Sequence, residues 1–114
     1  MPALRLLEGL ALLGLNRSEE SIRAFSEAVA ASDALLALAD RNVDALQVRA
    51  LALSGLAAAT GESARGLEAD RAFAHLYAAI DAAGIIADTR RLLSQIIRHD
   101  FSGTLSEVRA TWYR

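Results

Sequence analysis

The sequence predicts an all-α protein built from a repeated helical unit, and three observations carry that expectation. Ala and Leu, both strong helix formers, dominate the composition. The single proline is Pro2, so no helix in the body of the chain is broken by one. The chain also echoes itself: Gly9-Leu10-Ala11-Leu12-Leu13-Gly14-Leu15 returns as Ala50-Leu51-Ala52-Leu53-Ser54-Gly55-Leu56, and Arg23-Ala24-Phe25 returns as Arg71-Ala72-Phe73. Self-similarity of this kind marks a stack of one supersecondary unit. A length of 114 residues makes this one small domain or a piece of a longer chain. With 54% hydrophobic and 23% charged residues, it has enough apolar material for a core and does not read as disordered.

Taken in order, the first helix is expected from about Ala3 to Leu15, with apolar residues around most of its circumference, and Asn16-Arg17 forms a turn. Ser18 reads as an N-cap, with Glu19 and Glu20 in the first turn where the helix dipole favours anions. The second helix presents Ile22, Phe25, Val29 and Leu36 as one stripe and runs to Ala39 or Asp40, unless Ala30 to Asp33 breaks it. Asn42 caps a third helix carrying Leu46, Ala50, Leu53 and Leu56 or Ala57 on one face, which Thr60-Gly61 ends. After a loop from Glu62 to Gly66, a fourth helix from Leu67 to Ala83 buries Phe73, Leu76, Tyr77 and Ile80, and Gly84 ends or bends it. The fifth helix holds Leu92, Leu93, Ile96 and Ile97, capped by Asp88 or running on from Ile85. Asp100 to Gly103 is a turn, Thr104 with Glu107 fits a capping box, and a short last helix reaches Trp112. The expected architecture is two helical hairpins followed by a helical C-terminal cap. The first echo spans 41 positions and the second 48, so the extra residues fall between 57 and 66. They lengthen the third helix, the loop, or both.

Composition also narrows the function. A formal net charge of -2 gives no electrostatic reason to expect nucleic acid or an anionic membrane as partner. Every basic residue is Arg and none is Lys, which reads as the mark of high-GC coding. Without Cys there is no disulfide framework and no thiolate site, and a reducing cytoplasm fits. The run Leu4 to Leu15 carries Arg5 and Glu8 and is too short for a bilayer span, so it reads as an amphipathic helix. His75 and His99 have no second ligand at a metal-binding spacing, and Asp70, Arg71 and His75 read as a solvated face. Ser54-Gly55 and Ser102-Gly103 lack a nucleophile-elbow context, and neither Gly61 nor Gly66 opens a phosphate loop. No catalytic residue, metal ligand or cofactor is expected. Trp112 and Tyr113 read first as a packing lid on the last helices, with a partner contact as the alternative.

The residues Gly9, Leu12, Ser21, Phe25 and Ala28 resemble the small-large-small-large-small pattern of the tetratricopeptide repeat, with Ser21 in place of the usual Ala. Ala50, Leu53, Ala69 and Phe73 occupy the corresponding places in a second, degenerate unit, where Leu76 replaces the final Ala. The tail, around Gly84-Ile85-Ile86 and Arg91-Leu92-Leu93, is similar to the C-terminal region of tetratricopeptide-type proteins of high-GC actinobacteria. The resemblance implies a right-handed α-α superhelix: repeat one over 3–40, degenerate repeat two over 42–85 and a helical cap over 86–114, all one domain. It further implies a protein–protein interaction scaffold whose concave face holds Ala3, Leu6, Leu10, Leu13 and Gly14 in unit one. In unit two that face holds Asp44, Gln47, Leu51, Ser54 and Gly55. The partner-binding residues expected on this basis are Leu6, Leu10, Leu13, Asp44, Gln47, Leu51 and Ser54. The cations with which some family members hold a peptide carboxylate are missing in unit one, so the face suits an amphipathic helix laid into a groove. Two alternatives stand beside that reading. The leucines of unit one can be buried under the chain's own C-terminal helices, or a second copy can complete the core as a homodimer. A further alternative is a regulatory fragment of a larger multidomain protein.

Overall fold

The computed structural model describes residues 2–80 and 83–113. These form six helices and no strand: α1 (Pro2–Gly14), α2 (Ser18–Leu38), α3 (Val43–Thr60), α4 (Ser63–Ala79), α5 (Ala83–Ile97) and α6 (Ser106–Thr111). α1 and α2 make one hairpin, α3 and α4 a second, and α3 packs against α1, α2, α4 and α5.

The sequence of α3 explains its central place, because it is apolar around almost its whole circumference. Ala45, Val48, Ala52 and Leu56 share a face with Gly55, which meets Phe25 of α2. Leu46, Ala50, Leu53 and Ala57 are turned toward α4, and Leu51 and Ser54 share the third face with Gln47. A helix apolar all round is one that others surround. Small residues let the helices approach closely. The ring of Phe25, fully buried, lies between Gly9 of α1 and Gly55 of α3, and a Cβ on either glycine would overlap it. The buried hydroxyls of Ser21, Ser32 and Ser54 donate to the carbonyls of Ser18, Ala28 and Ala50, so none is left unpaired.

Several local expectations need correction. Asn16 takes the left-handed conformation in the α1–α2 turn, with φ 58°. α2 starts one residue earlier than expected, so Ser18 lies inside it and Arg17 holds the cap position without a side-chain bond. α2 then runs unbroken to Leu38, since Ser32 bonds back to Ala28 and does not compete with the helix. Asn42 does cap α3, its Oδ1 accepting from the Ala45 amide at 3.2 Å, and left-handed Gly61 ends it. The expected loop from Glu62 to Gly66 shrinks to residues 61 and 62, because α4 already begins at Ser63. The extra length of the second hairpin is therefore helix: α3 runs further past its Gly55 than α1 does past Gly14, and α4 starts earlier than α2. Gly84 lies inside α5 and does not end α4, which stops at extended Ile80. The expected continuation of α4 through 81 and 82 lies outside the described residues.

The capping box at Thr104 and Glu107 is also absent. The carboxylate of Asp100 takes that role, accepting from the Thr104 amide and hydroxyl through Oδ1 and from the Leu105 amide through Oδ2. Thr104 Oγ1 also lies 3.1 Å from the Ala57 carbonyl, tying this turn to α3.

The C-terminal helices pack back onto the two hairpins. α5 does not stack on α4 as the next member of the series, and no close backbone approach joins them among the described residues. It folds back across α3 and α1. Gln47, near the start of α3, donates from Nε2 to Thr89 Oγ1 at 3.0 Å and to Asp88 Oδ2 at 3.3 Å near the start of α5. Gly61, just past the end of α3, lies beside Ser102, just past the end of α5. The two helices are therefore parallel. Asp88, a candidate cap, sits one turn inside α5. α6 packs on α4, with Trp112 Nε1 donating to Asp70 Oδ1 at 2.8 Å and its ring stacked on Tyr77.

Burial raises the pKa of the Tyr77 hydroxyl, and the Arg90 guanidinium opposes the shift only in part. The hydroxyl is buried and has no hydrogen-bond partner among the described residues. The folded state thus holds a proton that the unfolded chain releases near pH ~10. Stability from this group is present below the unfolded pKa and is lost as pH rises through the raised folded value. Tyr77→Phe should keep the stacking, remove the orphan hydroxyl, and raise stability at neutral pH by about 1 kcal/mol. Urea melts across the alkaline range should show a smaller loss for the variant than for the wild type.

Candidate functional site

The face expected to hold a partner helix does hold a helix, and it is the chain's own. Leu6, Leu10 and Leu13 of α1 and Leu51 and Ser54 of α3 are all buried. Gln47 is half-buried and bonded to α5. Of the seven residues expected to meet a partner, only Asp44 is exposed. α5 supplies what an amphipathic helix needs for such a groove. Thr89, Leu93 and Ile96, spaced at helical i, i+4 and i+7, form its fully buried side. Thr89 Oγ1 also bonds the Ile85 carbonyl at 2.7 Å, so this hydroxyl has both a donor and an acceptor partner. The concave face is closed by α5, and a partner reaches it only if α5 leaves. Internal burial, one of the two readings left open by the sequence, is the arrangement found.

A different apolar surface stays open. Around α1, Leu6, Leu10 and Leu13 turn inward, whereas Ala3, Leu4, Leu7, Ala11, Gly14 and Leu15 are all exposed. Leu4 is 61% exposed, Leu7 53% and Leu15 65%. These three, with Ala11 between them, recur at the spacing of one helix face, and no charged residue falls within the stripe. Glu8 and Arg5 mark its edge, 3.4 Å apart, and Arg5 Nε also pairs with Glu27 of α2 at 3.1 Å. Leu67 and Phe101 are exposed on other elements, and Leu35 and Leu38 lie at the end of α2; scattered exposure of this kind is ordinary on a protein surface. A continuous uncharged stripe is not.

Leu4, Leu7, Ala11 and Leu15 were not among the residues singled out from the sequence, and Ala3 and Gly14, expected on the concave face, are exposed beside them, although a signal for the stripe exists. Advancing Leu4, Leu7, Ala11, Gly14 and Leu15 by the repeat interval gives Ala45, Val48, Ala52, Gly55 and Leu56. All five of those are buried. The same face is covered on α3 and bare on α1.

The residues considered for chemistry are dispersed. His75 lines a groove of about 480 Å³ between the ends of α2 and α4, with Asp33, Leu46 and Arg49, and Arg49 Nε is already paired with Asp33 at 2.7 Å. His99 lies past the end of α5, its Nδ1 3.1 Å from the Gln95 carbonyl and its ring edge-on to Phe101. Among the described residues no three His, Cys, Asp or Glu side chains are grouped so as to hold a metal ion. No helix among them is long and apolar enough to cross a membrane. Trp112 and Tyr113 pack inward, Trp112 on Tyr77 and Tyr113 under the Arg90 guanidinium, 5.8 Å from its ring centre. A scan against protein-family models, a search of curated proteins and a search of solved structures each return no match.

Proposed function

We propose that this chain is a non-catalytic helical interaction module, a pair of tetratricopeptide-like units that binds another protein by apolar complementarity. The observation that carries the reading is the open stripe of Leu4, Leu7, Ala11 and Leu15 on α1. Contiguous apolar surface left to water is a cost that soluble chains usually accept only where another surface covers it. The mutual packing of Gly9 and Phe25 supports the tetratricopeptide-like assignment, since the small and large positions of the motif are in contact. The binding surface in this reading is the outer side of α1, and the concave face serves the fold.

A photo-crosslinking amino acid in place of Leu7, incorporated in the cell that makes the protein, tests this. A discrete adduct is expected from position 7 and none from exposed Ser106, a polar residue at the start of α6. The mass of the adduct separates a different protein from a second copy of this chain. No adduct at position 7 would remove the basis for an interaction module.

A further inference from the structure

We infer that the stripe on α1 is the seat of an α-helix that runs antiparallel to α1, seats a large apolar side chain at Gly14, and places a basic residue opposite Glu8. The inference rests on the interaction-module reading and names the occupant of its surface.

The argument starts from the two copies of the same helix. α1 and α3 share a sequence pattern, and each follows the same three-faced plan. One face meets the second helix of its own hairpin and one face meets α5. The remaining face of α3, with Ala45, Val48, Ala52, Gly55 and Leu56, is covered by α2, which arrives antiparallel through the short link at residues 39–42. On α1 the equivalent face is Leu4, Leu7, Ala11, Gly14 and Leu15, and nothing covers it.

The glycines give the register. Gly55 exists to admit Phe25, whose ring fills the space where its Cβ would stand. Gly14 is the counterpart of Gly55, and nothing comes within 4 Å of where its Cβ would stand. The space that Phe25 fills beside Gly55 is open beside Gly14. A helix of the α2 pattern, with small residues flanking one large one, fits there as α2 fits α3.

The charges say that the occupant is not α2 itself. Where α2 crosses α3, Asp33 pairs with Arg49. The counterpart of Arg49 on α1 is Glu8, which makes an exposed pair with its neighbour Arg5 at 3.4 Å. The sign is reversed, so the occupant carries Arg or Lys eight positions after its large apolar residue. A second copy of this chain offers no such helix. Its own α2 is clamped between α1 and α3, and within no helix among the described residues does an Arg follow a large apolar residue by eight positions.

The probe is a fluorescent peptide with the sequence of residues 18–38, titrated with the full chain and read by anisotropy. Three forms are compared: native, Phe25→Ala and Asp33→Arg. Saturable binding is expected, lost by at least tenfold for Phe25→Ala. Asp33→Arg should bind about two- to fivefold tighter than native, the gain of one exposed ion pair over a repulsion. Gly14→Leu in the protein occupies that space, meets no neighbour, and should not lower the melting midpoint while abolishing peptide binding. Failure of every peptide to bind, or binding unchanged by Gly14→Leu, would overturn the inference. So would a concentration-dependent dimer that Gly14→Leu disperses, since a second copy would then hold the face. A crosslink at position 7 without peptide binding would leave the interaction-module reading standing and remove only the helical occupant. Loss of both would remove both.

Discussion

Leu51→Asp is expected to unfold the protein or bring it close to unfolding, and Leu93→Asp should do the same. Leu51 lies on the face of α3 that carries Gln47, and Leu93 on the side of α5 laid over it; both are fully buried. An unpaired carboxylate at either place must stay protonated, drag in water, or expel α5. Each route costs on the order of 4 kcal/mol or more, out of a typical total of about 5–15 kcal/mol. Thermal melts followed by circular dichroism should show a collapse in midpoint for both variants. Leu7→Asp is the control: its side chain is already in water, and the expected change is within about 0.5 kcal/mol. If Leu51→Asp melted like the wild type, α5 would not be seated on this face in solution. The concave groove would then be open, and the site residues expected from the sequence would regain their place.

The burial of Leu51 on α3 and Leu93 on α5 marks the line between what the sequence made legible and what it did not. The local code was readable. Asn42 and Gly61 are chemical signals for the two ends of α3, and the echo around Gly9 and Gly55 marks equivalent helices in the sequence itself. Leu6, Leu10 and Leu13 were read as one face, with burial under the chain's own helices as one alternative, and they are buried. The identity of what they face was not legible, because periodicity says which side of a helix is apolar and is silent on which neighbour covers it. α5 has a good apolar side in Thr89, Leu93 and Ile96. That side suits stacking on α4 and folding back over α3 equally well. The choice is made by long-range matches such as Gln47 with Thr89, which hydrophobic pattern does not encode. The cap at Thr104 was misassigned for a related reason. Its hydroxyl is engaged with Asp100 and lies beside the Ala57 carbonyl, so tertiary bonding overrode a local motif. The open stripe on α1 was missed because apolar residues around most of a helix were read as one property, although they divide into covered and uncovered faces.

Phe25 is the residue on which both hairpins converge, and its removal should be as damaging as a buried charge. The ring is fully buried between α1 and α3, with backbone on two sides that cannot relax into the space it leaves. Phe25→Ala should therefore cost about 3–5 kcal/mol, the range for large-to-small changes at sites that do not collapse. For a chain of this size that is a fall in melting midpoint of about 12–20 °C. The glycines sharpen the test. In an open helix, Gly→Ala stabilises by up to about 1 kcal/mol. Gly14→Ala should follow that rule in sign, because nothing lies near its would-be Cβ. Gly55→Ala should reverse it, because the new methyl would overlap the Phe25 ring. One substitution at two equivalent positions thus gives opposite signs, and the difference reports whether the recess is filled. In a Phe25→Ala background the conflict at Gly55 disappears, and Gly55→Ala should become neutral or stabilising. Melts of the four combinations of Phe25→Ala and Gly55→Ala form a double-mutant cycle with a coupling of at least about 1 kcal/mol if the two side chains compete for one space. Additivity within about 0.5 kcal/mol would mean that Phe25 does not reach α3, and the vacancy at Gly14 would lose its template.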